Sequence, residues 1–409
     1  MWRISGEIKG YPWGSTSAIP AFAGWEESGN PIAEVWYGAH ALTSSRVLKN
    51  FPEGDTQGTE SSLGTLREII AADPHRVLGS DVVNRFGENL PYLLKLIAPA
   101  TPLSLQVHPS KDRASQMFDL ESDAGIPLEH PRRRYRDSNH KPELIYALSR
   151  FEAVAGFRAP RRAMEILAGI EAPLAQRVSR QLRSKPGSAG IRAAVSGLLS
   201  PHTRPSAEDV DQVVQACVQR LQDGISPSLR VDRVVANLGS AYPGDPGIIV
   251  AALMNPVTLH PGEVLFIPAG GIHAYLSGLG VELMANSDNV LRAGLTAKHV
   301  DVEELLACLD YVAAPPTRIA AERITDSTAV FYAPVDDFEL SVSTLDGSVT
   351  RLPGRDSRIC LCVEGEITLG HRPSAQDVVL KPAQAVFVSA DEGPLYGQGT
   401  GILMQADVP

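Results

Sequence analysis

Leu259-His-Pro-Gly-Glu-Val-Leu-Phe-Ile-Pro-Ala-Gly-Gly-Ile-His-Ala-Tyr275 reads as a turn, an apolar strand, a glycine turn and the start of a second strand. Leu380-Lys-Pro-Ala-Gln-Ala-Val-Phe-Val-Ser-Ala-Asp-Glu-Gly-Pro-Leu-Tyr396 aligns on it without a gap. Strand–turn units of this kind build small β-barrels, so the echo predicts a mainly β chain with two related units. In this register His273 falls opposite Pro394, which has no ligating atom. The second unit is therefore expected to keep the fold without a metal.

Working outward from His273, the next informative stretch is Ser104-Leu-Gln-Val-His-Pro-Ser-Lys111. Gln106 and His108 alternate with Leu105 and Val107, so on a strand both polar side chains face one way. Polar groups on a buried face need a partner, because leaving them unpaired is costly. A metal ion would be one; a hydrogen-bonded polar pair at a strand end would be another. Asn139-His-Lys-Pro-Glu143 and Ile267-Pro-Ala-Gly-Gly-Ile-His273 could complete a metal shell. Downstream, Gly280 to Lys298 places Glu282, Asn286, Asp288, Asn289, Arg292 and Lys298 among small and apolar residues, which suggests a lined pocket.

Strand-like runs fill residues 1–157, among them Tyr92–Ile97 and Leu144–Leu148, with one helix expected at Ser62–Ala72. The texture turns helical over 158–235. The clearest helix starts at Ser206, where Asp209 completes a capping box, and Val210, Val213, Val214, Cys217 and Leu221 form its apolar stripe. Strands are expected again from Gly247, with a helix at Val302–Leu309 and a linker at Pro315-Pro316. The predicted organisation is one barrel from 1–157 and 236–314, a helical insertion at 158–235, and a second barrel at 315–409.

The chain has 409 residues, is 44% hydrophobic and 21% charged, and carries a net charge of −10. Those values fit a globular protein and argue against general nucleic-acid binding. An anionic substrate would need a local basic pocket set against the overall field. The four cysteines have neither metal-type nor disulfide-framework spacing, and no stretch is long enough to span a bilayer. A cytoplasmic, reduced protein with no nucleic-acid or membrane partner is expected; a monomer is compatible with the sequence, which does not fix the oligomeric state.

Several stretches together resemble the type I mannose-6-phosphate isomerases: Tyr11-Pro-Trp-Gly-Ser15, Ala33-Glu-Val-Trp-Tyr-Gly-Ala-His40, Pro91-Tyr-Leu-Leu-Lys95, Gln106 to Lys111, Asn139 to Glu143, Tyr242 to Gly247, Leu259 to Tyr275 and Val281 to Lys298. The resemblance implies a cupin-type barrel holding one zinc ion per chain through Gln106, His108, Glu143 and His273, with a small-molecule sugar phosphate as substrate. Nitrogen and oxygen donors suit a catalytic zinc, though the residue types alone equally admit iron, manganese or cobalt. The implied reaction interconverts mannose 6-phosphate and fructose 6-phosphate through an enediol or enediolate. It assigns proton transfer to Lys141 or His140, charge stabilisation to Arg292 and ring opening to Asp288. Lys95, Ser104 and Lys298 take the phosphate, with Lys111 a weaker candidate. The run Arg132-Arg-Arg-Tyr-Arg136 reads as a solvated basic stretch that could also attract a sugar phosphate. Two other readings remain open: another metal-dependent cupin enzyme, such as an iron oxygenase, and a noncatalytic sugar-phosphate binding module.

Overall fold

The computed structural model describes residues 1–49, 62–130, 133–298, 300–371 and 377–409. Mainly antiparallel β-sheet and a block of helices make up four stacked layers. A five-stranded sheet runs in the order Met254–Leu259, Phe151–Phe157, His273–Ser277, Leu105–Val107, Leu291–Gly294. A seven-stranded sheet runs Thr317–Ile319, Val264–Ile267, Glu143–Ala147, Gly280–Ala285, Tyr92–Ile97, Glu34–Tyr37, Glu7–Lys9. An eleven-stranded sheet collects the strands after Glu322 together with Trp2–Ile4, Arg46–Leu48 and Ser62–Thr65 from the start of the chain.

The alternation of side chains decides what each sheet face meets. In the five-stranded sheet Leu105, Val107, Ala274, Leu276, Leu291 and Ala293 pack in one core with the helices. Gln106, His273 and Arg292, the residues between them, therefore face the other way. In the seven-stranded sheet Leu94, Leu96, Val281 and Leu283 pack against Leu340, Ile359, Leu361, Phe387 and Met404 of the eleven-stranded sheet. Lys95, Glu282 and Glu143 alternate with that apolar set and face the five-stranded sheet. The inner faces of the two sheets thus meet across one interior space, where these polar residues lie beside an apolar cluster that includes Ile97, Ile145, Ala153, Leu265 and Tyr275.

The two turns of the sequence echo share their hydrogen bonding. His260 N–H donates to Glu263 Oε2 at 2.8 Å, and Lys381 N–H donates to Gln384 Oε1 at 2.9 Å. Gly262 N–H donates to the Ala147 carbonyl, as Ala383 N–H does to that of Cys362. Gly262 has φ 90° and Ala383 φ 65°, so the second copy holds the same left-handed turn with a side chain present.

Several boundaries differ from the sequence expectation. Ser62–Thr65 is a strand and the helix begins at Leu66, because Thr65 and Glu68 form a reciprocal capping box. Gly247–Ala252 is a helix rather than a strand, and every one of its residues is buried. The helical block therefore runs past 235, which falls inside the helix Leu229–Ala241. Ser206 and Asp209 do form the expected capping box. Of the predicted stripe, Leu221 is only half-buried. Arg220 is buried instead, its guanidinium 2.6 Å from fully buried Asp232. Past 314, Thr317–Ile319 still pairs with Val264–Phe266. Trp2–Ile4 pairs with Ala385–Phe387, so the chain start is built into the C-terminal sheet.

Candidate active site

Gln106 is the register partner of His273 on one side and of Arg292 on the other. Their side chains thus stand in a row across three strands, at the spacing of directly opposed residues. His108 follows at the strand end, completely buried. The Pro268–Gly271 turn brings His273 alongside; Gly270, at φ 78°, donates its N–H to the His108 carbonyl. Glu143 comes from the facing sheet.

His108, Glu143 and His273 offer ligand atoms within 4.8 Å of one another, all buried. His108 Nδ1 is 2.8 Å from the Asn289 carbonyl, and His273 Nδ1 is 3.1 Å from that of Gly271. A carbonyl can only accept, so each Nδ1 carries a proton, and in the neutral ring the Nε2 atom then presents a lone pair. Those lone pairs lie 3.2 and 3.1 Å from the two oxygens of Glu143. The buried His108 Nε2 has no hydrogen-bond partner. Burial, above all else, pushes the His108 imidazole down to about 4, so it is neutral at pH 7. Burial works to raise the Glu143 carboxyl, but neighbouring Lys141 holds it well below the usual range. Two lone pairs around a carboxylate repel unless a cation lies among them. Donors around a tetrahedral zinc with bonds of 2.0–2.1 Å sit about 3.3 Å apart, which the observed separations match. The donor set therefore fits a divalent metal, with Gln106 placed to add an amide oxygen.

A cavity of about 1340 Å³ opens beside these residues, lined among others by Gln106, Ser104, Lys141, Asp288, Arg292 and Lys298. Lys141 Nζ is 2.7 Å from Glu143 Oε1. Lys95 also lines the cavity, but its ammonium is 2.9 Å from Glu282 and 3.7 Å from Glu34, and 5.0 Å from the Trp36 ring centre. Its charge is already balanced, which argues against the expected role as a free phosphate anchor. His140, the other expected proton carrier, lies outside the cavity lining, 2.9 Å from buried Asp337. Lys111 is exposed at the start of the helix Lys111–Asp123 and is also outside the lining.

Asp288 is paired with His40, at 3.4 Å. Leu42 N–H donates to His40 Nδ1, so the ring proton is on Nε2 and faces Asp288. Burial pulls the Asp288 carboxyl up, but the His40 contact, Lys141 and Arg136 hold it below its ordinary value. His40 lay within a motif already noted, yet nothing in the sequence indicated its partner. Arg136 also lines the cavity, whereas Arg132 lies outside the described residues. Burial and Arg136 both lower the Arg292 guanidinium from its ordinary value. Lys298 is lowered first by Arg292, then by burial and by Arg136. These three cations share one wall of the cavity, and among the described residues none of them forms an ion pair.

The sequence matches the family description "Phosphomannose isomerase type I, catalytic domain" over residues 1–160. It is 35% identical over 417 residues to mannose-6-phosphate isomerase of Escherichia coli, covering 98% of each chain. A zinc-bound mannose 6-phosphate isomerase structure superimposes with a TM-score of 0.88 at 34% identity, covering 100% of this chain and 99% of that one. The Salmonella typhimurium enzyme solved with its substrate, f6p, and zinc gives 0.87 at 34% identity over the same shares.

Proposed function

The chain belongs to the type I phosphomannose isomerase family, and we propose from that premise that it interconverts mannose 6-phosphate and fructose 6-phosphate with one zinc ion. Gln106, His108, Glu143 and His273 would hold the metal. The observation that carries this reading is the pair of Nε2 lone pairs aimed at the Glu143 carboxylate, with Lys141 and Arg292 beside them. Turn geometry repeated at Gly262 and Ala383 supports two cupin-type barrels as the finer description of the fold, the second serving as cover for the first. A sugar-phosphate substrate supports a cytoplasmic location.

When bound, the metal supplies positive charge that stabilises the oxygens of the reacting carbonyl. The residues of the chain do the rest. Asp288, held ionised and oriented by His40, takes the proton of the sugar's anomeric hydroxyl as the C1–O5 bond breaks, and that proton is passed on to the ring oxygen O5, which becomes the 5-hydroxyl. The open aldose then loses its C2 proton, gains one at C1, and passes the O2 proton to O1. Lys141 Nζ, which lines the cavity, carries the proton between the carbons. This choice over His140 rests on position, since His140 is engaged with Asp337. Arg292, beside Gln106, meets the negative oxygens of the enediolate. Lys298 and Ser104 receive the phosphate.

Purified protein loaded with zinc should convert mannose 6-phosphate to fructose 6-phosphate in an assay coupled to fructose 6-phosphate consumption. Metal-loaded, folded protein that gives no fructose 6-phosphate contradicts the reading.

A further inference from the structure

We propose that Arg136 is a phosphate-binding residue of this cavity, closing with Lys298 on the 6-phosphate of the sugar. This deepens the isomerase reading and rests on it. The argument begins with the neighbours of Arg136, each of which is committed elsewhere. Arg133 donates to the carbonyls of Phe118, Ile126 and Tyr135. Arg134 reaches Glu121 at 2.6 Å and Asp301 at 3.1 Å. The Tyr135 hydroxyl donates to Glu304, which also holds Arg113. Backbone N–H groups of Arg134 and Tyr135 both donate to Glu121. The segment is a strut fixed along its length.

Arg136 is the residue at its end. Its backbone N–H donates to Asn289 Oδ1 at 2.9 Å, while its side chain lines the cavity and forms no ion pair among the described residues. The same Asn289 accepts His108 Nδ1–H through its main-chain carbonyl. One residue therefore ties the metal site to the anion site, and the distance between them is fixed by a single buried side chain. Arg136 also stands close enough to Arg292 and Lys298 to disfavour their charged forms. Gathering like charges on one wall destabilises the empty cavity, in a chain whose net charge is −10. A phosphate dianion reverses that repulsion, and a guanidinium offers it two parallel donors. Because the strut is already ordered, little backbone freedom is lost on binding.

The test compares wild type, Arg136→Ala and Arg136→Lys as zinc-loaded enzymes. For Arg136→Ala the Michaelis constant for mannose 6-phosphate should rise about 10- to 100-fold, with turnover at saturation falling less than about threefold. The inhibition constant of inorganic phosphate should rise in parallel, metal content should stay at the wild-type level, and Arg136→Lys should recover part of the loss. Unchanged constants for substrate and phosphate overturn the proposal. So does a fall in turnover and metal content at constant Michaelis constant, which marks a structural strut only. Should wild type itself show no isomerisation, the functional reading fails separately. Thermal stabilisation by inorganic phosphate, present in wild type and absent in Arg136→Ala, still decides the role of Arg136.

Discussion

Arg292 and Lys298 lie on the same wall yet are assigned to different stages of the reaction. Arg292 is cross-strand from Gln106, so it stands where charge develops; Lys298 is exposed at the rim. An interaction that strengthens in the transition state lowers the barrier, whereas one present throughout only tightens binding. Arg292→Ala should therefore reduce turnover about 100-fold with a small change in the Michaelis constant. Lys298→Ala should mainly raise the Michaelis constant. Steady-state kinetics on both variants check this, and a purely binding defect in Arg292→Ala would move it to the phosphate site. At this scale the sequence was legible where chemistry depends on alternation: Gln106 and His108 stood out because their strand neighbours are apolar. It was illegible where the partner is remote. Lys95 is neutralised by Glu282, 187 residues away, and His140 is captured by Asp337, 197 residues away. No local pattern signals either contact.

At the scale of elements, turn chemistry carried through where periodicity did not. The Pro-Gly-Glu and Pro-Ala-Gln turns gave away the repeat because each acid or amide caps its own turn. Gly247–Ala252 gave nothing away: buried on every side, a short helix shows no 3.6 period to separate it from a strand. A second element-scale feature could not be read at all. Glu339 and Asp407 are opposed on adjacent strands of the C-terminal sheet. Burial first, then the charge of Glu339, pushes the Asp407 carboxyl well above its ordinary 3.8. The folded state thus keeps a proton that the unfolded state releases, so this residue's contribution to stability declines as pH rises from about 4 toward the folded value. Asp407→Asn, which stays neutral, should remove that decline. Its urea midpoint should gain on that of wild type as the pH rises above about 4. Midpoints that run parallel across the range contradict the assignment.

The whole molecule explains why the site sits where it does. Helices cover the outer face of the five-stranded sheet, and the eleven-stranded sheet covers the outer face of the seven-stranded one. Only the two inner faces are left for polar groups, and there Glu143 meets His108 and His273. The sequence predicted the mainly β class and the helical block, because both follow from local texture. It could not show Trp2–Ile4 completing the C-terminal sheet, a pairing that depends on strands from opposite ends of the chain. This meeting of faces is expected to hold one catalytic metal ion. Protein stripped by a chelator should be folded and inactive, and titration with zinc should restore mannose 6-phosphate isomerisation linearly up to one equivalent per chain. His273→Ala, carried through the same titration, should bind far less zinc and recover no comparable activity. Full activity in the stripped protein, or a wild-type endpoint unrelated to one equivalent, would contradict the account.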